Sequence, residues 1–219
     1  MKILLLFFFG ASLASFAGLV VDRYPQQSLL YPRSHCSHCQ RRLKWWQLCP
    51  VFSAIFLKFT CPSCQTSFPK WYSLLEAAWG LALVAWGQGW LSSSWLLLAG
   101  FGSMATIYDL RQQAYPLLLW VIWTIPLFLL VPMPPLYGLL LLLALICHFY
   151  PLGLGAGDVL YIANLLLVFP LLDWIYLVHL ACLLAVAYIL FSRHRGSLAF
   201  IPFLFLAFLL LTSLTLLFS

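Results

Sequence analysis

Residues 136–172 read LYGLLLLLALICHFYPLGLGAGDVLYIANLLLVFPLL. Two long apolar runs flank Gly155-Ala156-Gly157-Asp158, and an acid stands where a bilayer would exclude one. Ionisable groups inside a transmembrane bundle, or at its edge, are costly and point to function. Gly155 and Gly157 have no Cβ, so this loop can take positive φ and let another backbone approach closely. Asp158 then opens the next helix as a positioned carboxylate.

Composition supports the membrane reading. Of 219 residues, 64% are apolar and only 7% are charged, whereas a soluble domain carries about 25% charged residues. One helical bundle plus one small polar insert fits the length. The formal charge of +6 does not imply nucleic acid as a direct partner. The basic residues sit mostly in one loop beside apolar runs, so topology and membrane lipid explain them.

Residues 3–21 form the first apolar run. Ala14-Ser15-Phe16-Ala17 is similar to a signal-peptide cleavage site. The run nevertheless has about the ~20 residues a span needs, and cleavage would leave a basic loop outside the membrane, against the positive-inside bias. Residues 1–21 are therefore expected to be a retained first transmembrane helix.

Residues 22–71 are the only long polar segment. They hold Arg23, Arg33, Arg41, Arg42, Lys44, Lys58 and Lys70 against a single acid, Asp22, which places them in the cytoplasm. Cys36-Ser37-His38-Cys39 and Cys61-Pro62-Ser63-Cys64 are two C-x2-C knuckles. Their spacing predicts a tetrahedral four-cysteine zinc site, structural because all four positions are filled. Disulfides are disfavoured in a reduced compartment, and the βαβ context of a redox C-x-x-C pair is missing. His35 and His38 are expected to be solvated loop residues, and Cys49 a packed small hydrophobe.

Residues 72–219 are expected to form a seven-helix core. Its apolar runs lie near 72–91, 95–110, 116–131, 136–150, 158–172, 174–191 and 198–218, with Pro116 opening its helix. The fold class is thus an all-α polytopic membrane protein of about eight transmembrane helices, with a cytoplasmic zinc module between the first and second. With 22–71 inside, the connections at 111–115, 151–157 and 192–197 are also inside. Arg111, Arg193 and Arg195 fall there without having been used to draw the spans. Asp109 and Asp158 then meet the same cytoplasmic boundary, while Asp173 falls on the opposite face.

Two neighbouring carboxylates share a proton, and one can act as general base on water while the other polarises a carbonyl. Intramembrane acids also serve proton-coupled transporters. The residues alone leave catalysis and transport equally open, and a non-catalytic scaffold using the zinc module to dock a partner is a third reading. Asp158 lies at a helix N-terminus, which favours a carboxylate, and Asp109 near a helix C-terminus, which does not. On that basis Asp158 is expected to be the ionised base and Asp109 its protonated partner.

The chain resembles the type IV prepilin peptidase family. The resemblance rests on Gly155-Ala156-Gly157-Asp158, on Asp109 followed by Ala114-Tyr115-Pro116, and on the two C-x2-C pairs after a first helix. Gly18-Leu19-Val20-Val21-Asp22-Arg23-Tyr24-Pro25 and Arg33-Ser34-His35-Cys36 are similar to that family's opening. The resemblance implies a multi-pass aspartic endopeptidase of the bacterial inner (plasma) membrane. Such an enzyme removes the basic leader of prepilins or pseudopilins at the cytoplasmic face. It further implies Asp109 and Asp158 as the catalytic pair, Gly155 and Gly157 as the supporting loop, and zinc on Cys36, Cys39, Cys61 and Cys64. Many members also methylate the new N-terminus, which brings S-adenosylmethionine into question as a second cofactor. The chain departs from the family at Leu160, often Lys, and at Leu117, often an acid or Asn. Its late proline-rich patch is reduced to Ile201-Pro202-Phe203. Glu76 stands where the family commonly has an acid.

Overall fold

The computed structural model describes residues 1–31, 33–36, 38–150, 153–192 and 196–218, the last three as backbone only. Arg193 and Arg195, expected in the cytoplasm, lie outside the described residues, as do Pro151 and Leu152 of the glycine-rich connection. Among the described residues there are α-helices, one 3-10 turn and no strand. Every apolar run read from the sequence is a helix. Two of them, Lys2–Arg23 and Leu171–Ser192, are long and apolar enough to cross a membrane.

The helices divide into two units, Met1–Ser92 and Ser93–Ser219. The sequence sets a boundary at residue 72, whereas contacts group the 72–91 run with the first helix. The first unit holds α1 (Lys2–Arg23), the 3-10 turn Trp45–Leu48, α2 (Phe52–Phe56) and α3 (Trp71–Gly87). Tyr24 ends α1 in an extended conformation, φ −84° and ψ 141°, as a residue before proline favours. α1 buries Gly10, Ala11, Ala14, Ala17, Gly18 and Val21, a stripe of small residues at helical spacing that lets two apolar helices approach closely. A Cβ at Gly10 would stand 2.5 Å from the Trp79 carbonyl oxygen of α3. The pair is antiparallel: Lys2 Nζ donates to the Gly87 carbonyl at 3.3 Å, and Tyr72 donates to the Asp22 carboxylate at the other end.

The second unit holds α4 (Ser93–Gln112), α5 (Leu117–Leu130), α6 (Pro135–Phe149), α7 (Ala156–Val168), α8 (Leu171–Ser192) and α9 (Ile201–Phe218). α7 is the inner helix and packs against α4, α5, α6, α8 and α9. It buries Val159, Tyr161, Ala163, Asn164, Leu165, Leu166 and Leu167, so it is covered on all sides. Asn164, one of its two uncharged polar side chains with Tyr161, is met there. Asn164 Nδ2 donates to Thr124 Oγ1 at 2.9 Å, and the Tyr137 hydroxyl donates to Asn164 Oδ1 at 3.2 Å. A buried polar group without such partners would cost about 1–3 kcal/mol. α8 is the opposite case: of its 22 residues only Leu177, Ala181 and Ala185 are buried inside the protein. Apolar surface this extensive needs a non-aqueous cover.

Several boundaries differ from the sequence reading, two of them beside the candidate site. Pro116 caps α5 from outside rather than entering it, with φ −64° and ψ 133°. α7 begins at Ala156, so Gly157 and Asp158 belong to its first turn and only Gly155 precedes it.

Candidate metal centre and carboxylate pair

The two knuckles of the first unit have the same build. Gln40 N–H returns to the Cys36 carbonyl at 2.9 Å, and Gln65 N–H to the Cys61 carbonyl at 2.8 Å. Both glutamines take left-handed φ, 57° and 56°. Each knuckle closes on a short antiparallel bridge, His35 to Arg42 and Thr60 to Ser67. The sulfurs of Cys36, Cys39, Cys61 and Cys64 all lie within 4.8 Å of one another. Cys36 and Cys64 are 3.7 Å apart, and Cys39 and Cys61 are 3.9 Å apart. Tetrahedral zinc with Zn–S near 2.3 Å spaces its sulfurs by about 3.8 Å, so the four sulfurs fit the ion and no disulfide joins them.

The electrostatics suit a cation. The Thr66 hydroxyl and amide hydrogen-bond Cys64 and draw its thiol down to about 5. The Cys64 and Ser63 amides lower Cys61. The Arg41 amide lowers Cys39, yet burial and the neighbouring sulfurs outweigh it and push that thiol up to about 11. Bringing all four sulfurs to the thiolate form at this spacing takes a positive ion between them. His35 Nδ1 is paired with the Arg33 carbonyl at 2.8 Å, so that nitrogen is taken up outside the cluster.

In the second unit, Asp109 and Asp158 come together. Their carboxyls lie close enough for their charges to interact, and both act on the Tyr115 hydroxyl. Asp109, only 6% exposed, sits near the end of α4. Its Oδ2 accepts the Ile201 amide at 3.0 Å, and its carboxylate also accepts the Phe200 amide. These are the first free N–H groups of α9, so a second helix offers Asp109 its positive end. Asp158 is the third residue of α7, and its carboxylate reaches back to the amide of Gly155, the cap residue. This is the acidic half of a capping box. Both acids therefore sit on helix N-termini. Asp109 lies in the last turn of its own helix, as expected, and meets the N-terminus of α9 as well, so its own helix end is not the only one that acts on it.

The glycines serve sterically, and neither Gly155 nor Gly157 takes positive φ; Gly153 does, at 76°. A Cβ at Gly155 would lie 2.7 Å from Asp158 Oδ2, and one at Gly157 would lie 3.0 Å from Tyr115 Cε1. Side chains approach these glycines, not another backbone. The Tyr115 hydroxyl donates to the Gly157 carbonyl at 2.8 Å, fastening the connection after α4 to the first turn of α7. Beside it, Gln113 ends α4 in the left-handed region, φ 52°. Gln113 Nε2 donates to the Ser197 carbonyl at 2.8 Å, and Ser197 Oγ donates to Gln113 Oε1 at 2.7 Å. The strap leading into α9 is thereby tied to the end of α4. Gln113 carries no signal in the sequence beyond its closeness to Asp109, and Tyr115 stands out only as part of Ala114-Tyr115-Pro116 in the family resemblance. Leu160 turns inward against the Ala144, Cys147 and Val159 cluster, and its carbonyl accepts the Trp120 indole at 3.3 Å. Asp173 lies apart in the first turn of α8.

Helices with wide apolar surfaces and a four-cysteine cluster define a helical membrane protein with a candidate zinc centre. Residues 8–88 match the family model for the Bacterial Peptidase A24 N-terminal domain, a stretch that contains all four cysteines. Over 130 residues the chain is 32% identical to the type 4 prepilin-like proteins leader peptide-processing enzyme of Escherichia coli O78:H11 (strain H10407 / ETEC). That match covers 49% of this chain and 48% of the relative. It is 36% identical to the prepilin leader peptidase/N-methyltransferase of Stutzerimonas stutzeri, over 44% of this chain and 35% of the relative. With the protein of the same name from Neisseria gonorrhoeae the identity is 34%, over 41% of this chain and 32% of the relative. The chain is thus similar to prepilin leader peptidases over part of its length. The chain spans about half or less of the length of the curated relatives it matches. No solved structure matches it.

Proposed function

We propose that the chain is a membrane aspartic endopeptidase that removes the leader peptide of prepilin-like proteins at the cytoplasmic membrane face. The observation that carries this reading is the meeting of Asp109 and Asp158, each held by backbone amides at a helix N-terminus. A carboxylate removes a proton from water as the water oxygen attacks the scissile carbonyl. The partner carboxyl hydrogen-bonds the developing oxyanion, and the proton passes to the leaving amine as the C–N bond breaks. Gly155 and Gly157 leave room for the Asp158 carboxylate and for Tyr115.

Cys36, Cys39, Cys61 and Cys64 hold one structural zinc, which supplies fixed geometry to the module at 22–71 and no open coordination position. Functionally the chain divides into the first helix at 1–21, that module, and the helices from 72 to 219, crossing the bacterial inner membrane about eight times. The relatives' names add N-methylation, for which S-adenosylmethionine would be the methyl donor.

The test is co-expression with a pseudopilin carrying a basic leader, followed by mass analysis of its new N-terminus. Cleavage of the leader is expected. Unprocessed precursor beside an inserted, folded enzyme would overturn the reading in favour of transport or scaffolding. A further mass increment of one methylene would report methylation.

A further inference from the structure

The connection between the two knuckles contains a stretch that does not behave as a cytoplasmic loop. Residues 45–57, Trp-Trp-Gln-Leu-Cys-Pro-Val-Phe-Ser-Ala-Ile-Phe-Leu, carry no charge, and Lys44 and Lys58 bracket them. Two contacts set their level against α1 and α3. The Phe52 ring stacks on Phe8 with centroids 5.5 Å apart. The Val51 N–H donates to Glu76 Oε2 at 2.7 Å, and Glu76 also accepts the Ser15 hydroxyl. At about 1.5 Å of rise per residue, Ser15 lies about 12 Å and Phe8 about 22 Å along α1 from Arg23. A hydrocarbon core is about 30 Å thick, so both levels fall inside it when α1 crosses.

The outward side chains are apolar: Trp45 is 85% and Phe56 79% exposed, and Leu48, Phe52 and Ile55 are also exposed. They continue the exposed apolar faces of α1 at Phe9, Leu13 and Phe16 and of α3 at Leu74 and Leu81. Irregular backbone survives at membrane depth only where protein groups satisfy it. Here the Ser53 amide returns to the Cys49 carbonyl, Ile55 to Val51, Leu57 to Ser53 and Phe59 to Ala54. The Val51 amide, at a left-handed turn with φ 61°, goes to Glu76. Two further left-handed residues, Lys58 and Phe59 at 49° and 58°, turn the chain back toward Cys61.

We propose that residues 45–57 are a re-entrant segment lodged in the leaflet on the zinc-cluster side, its outward side chains against lipid acyl chains. Lys44 and Lys58 mark its entry and exit at the headgroups, as basic residues do at membrane interfaces. Glu76 is the internal acceptor that anchors the turn at Val51. This rests on the membrane-spanning reading of α1 and α3, and not on the peptidase reading.

The test uses the zinc-loaded full chain with Cys49, Cys147 and Cys182 replaced by Ser, reconstituted in phosphatidylethanolamine/phosphatidylglycerol vesicles. A nitroxide label is placed in turn through Phe56→Cys, Leu81→Cys and Leu30→Cys, and its collisions with oxygen and with a water-soluble nickel chelate are measured. The Phe56 site should behave like Leu81, oxygen-accessible and shielded from nickel several-fold better than Leu30. Nickel access at Phe56 equal to Leu30, with Leu81 still shielded, would overturn the re-entrant segment alone. Nickel access at Leu81 as well would overturn the membrane reading of α3 and the segment with it. A Phe56 label shielded from both reagents would mean that protein, not lipid, covers the site. Glu76→Leu should raise nickel access at Phe56, while Glu76→Gln, which keeps an acceptor oxygen, should not. Should Glu76→Leu fail to accumulate, the label at Phe56 in the Glu76 protein decides.

Discussion

The Asp109 carboxylate accepts the backbone N–H of Ile201 at 3.0 Å, across 92 residues of chain. Asp109 thereby caps α9, and α9 holds Asp109 in place. The two roles separate on mutation. Asp109→Asn keeps an oxygen that can accept the amide, so the protein should insert with little loss of stability while cleavage falls by about 10²–10⁴-fold. Asp109→Ala should lose cleavage and also about 0.5–2 kcal/mol, the usual cost of a lost helix cap. Asp158→Asn should accumulate precursor in the same way, and Asp173→Asn should process normally. Immunoblots of precursor and thermal melts in detergent measure both effects. Normal cleavage by either dyad Asn variant would end the assignment.

Gly155→Ala should lower cleavage more than it lowers stability. Its Cβ would meet Asp158 Oδ2 at 2.7 Å and push the carboxylate off its capping position. Gly157→Ala meets the Tyr115 ring at 3.0 Å, which can give slightly, so a milder loss is expected. Gly153→Ala meets no atom within 4 Å but sits at φ 76°. There the cost should be stability, about 1–2 kcal/mol of left-handed strain, with the turnover of folded enzyme kept. Equal losses of turnover in all three would refute the steric account.

Tyr115→Phe keeps the ring against Gly157 and removes only the hydroxyl that donates to its carbonyl. The expected stability loss is about 0.5–1.5 kcal/mol. Turnover should fall through displacement of the α7 first turn, with the substrate KM nearly unchanged. A change confined to KM would instead place Tyr115 in substrate binding.

Zinc content and pH give a fourth check. The purified chain should hold one zinc, lost in Cys36→Ser or Cys61→Ser and unchanged in Cys49→Ser. Cys64, drawn down to about 5, is a thiolate at neutral pH, whereas Cys39, pushed up to about 11, is a thiol in the metal-free cluster. Loading at neutral pH should therefore expel the Cys39 proton, seen as a buffer-dependent heat in titration calorimetry. The stability that zinc adds should fall progressively as pH is lowered, because protons compete first for the Cys39 sulfur and, toward about pH 5, also for that of Cys64. Full alkylation of all four thiols in native protein, without chelator, would exclude the site.

The sequence by itself determined those features whose causes are local. Uninterrupted apolar runs become helices because backbone groups away from water must pair within the segment. Each C-x2-C pair is legible because one tight turn presents both sulfurs, and the repeated Cys-x-x-Cys-Gln explains the matching left-handed Gln40 and Gln65. Asp109 and Asp158 stood out because acids are rare in such a chain. Only tertiary structure decided what surrounds them. Asp109 was read from its own helix, α4, yet its carboxylate is held by α9. At Gly155 and Gly157 the sequence suggests positive φ and a neighbouring backbone, yet they are small because Asp158 and Tyr115 occupy the space a Cβ would take. In the sequence Glu76 is only an acid where the resembling family commonly has one, yet in the structure it accepts the Val51 amide. Ile201, Tyr115 and Val51 lie far along the chain from the groups they meet. No local pattern records such partners, because they are chosen by how helices pack, and packing depends on the shapes of all the faces at once.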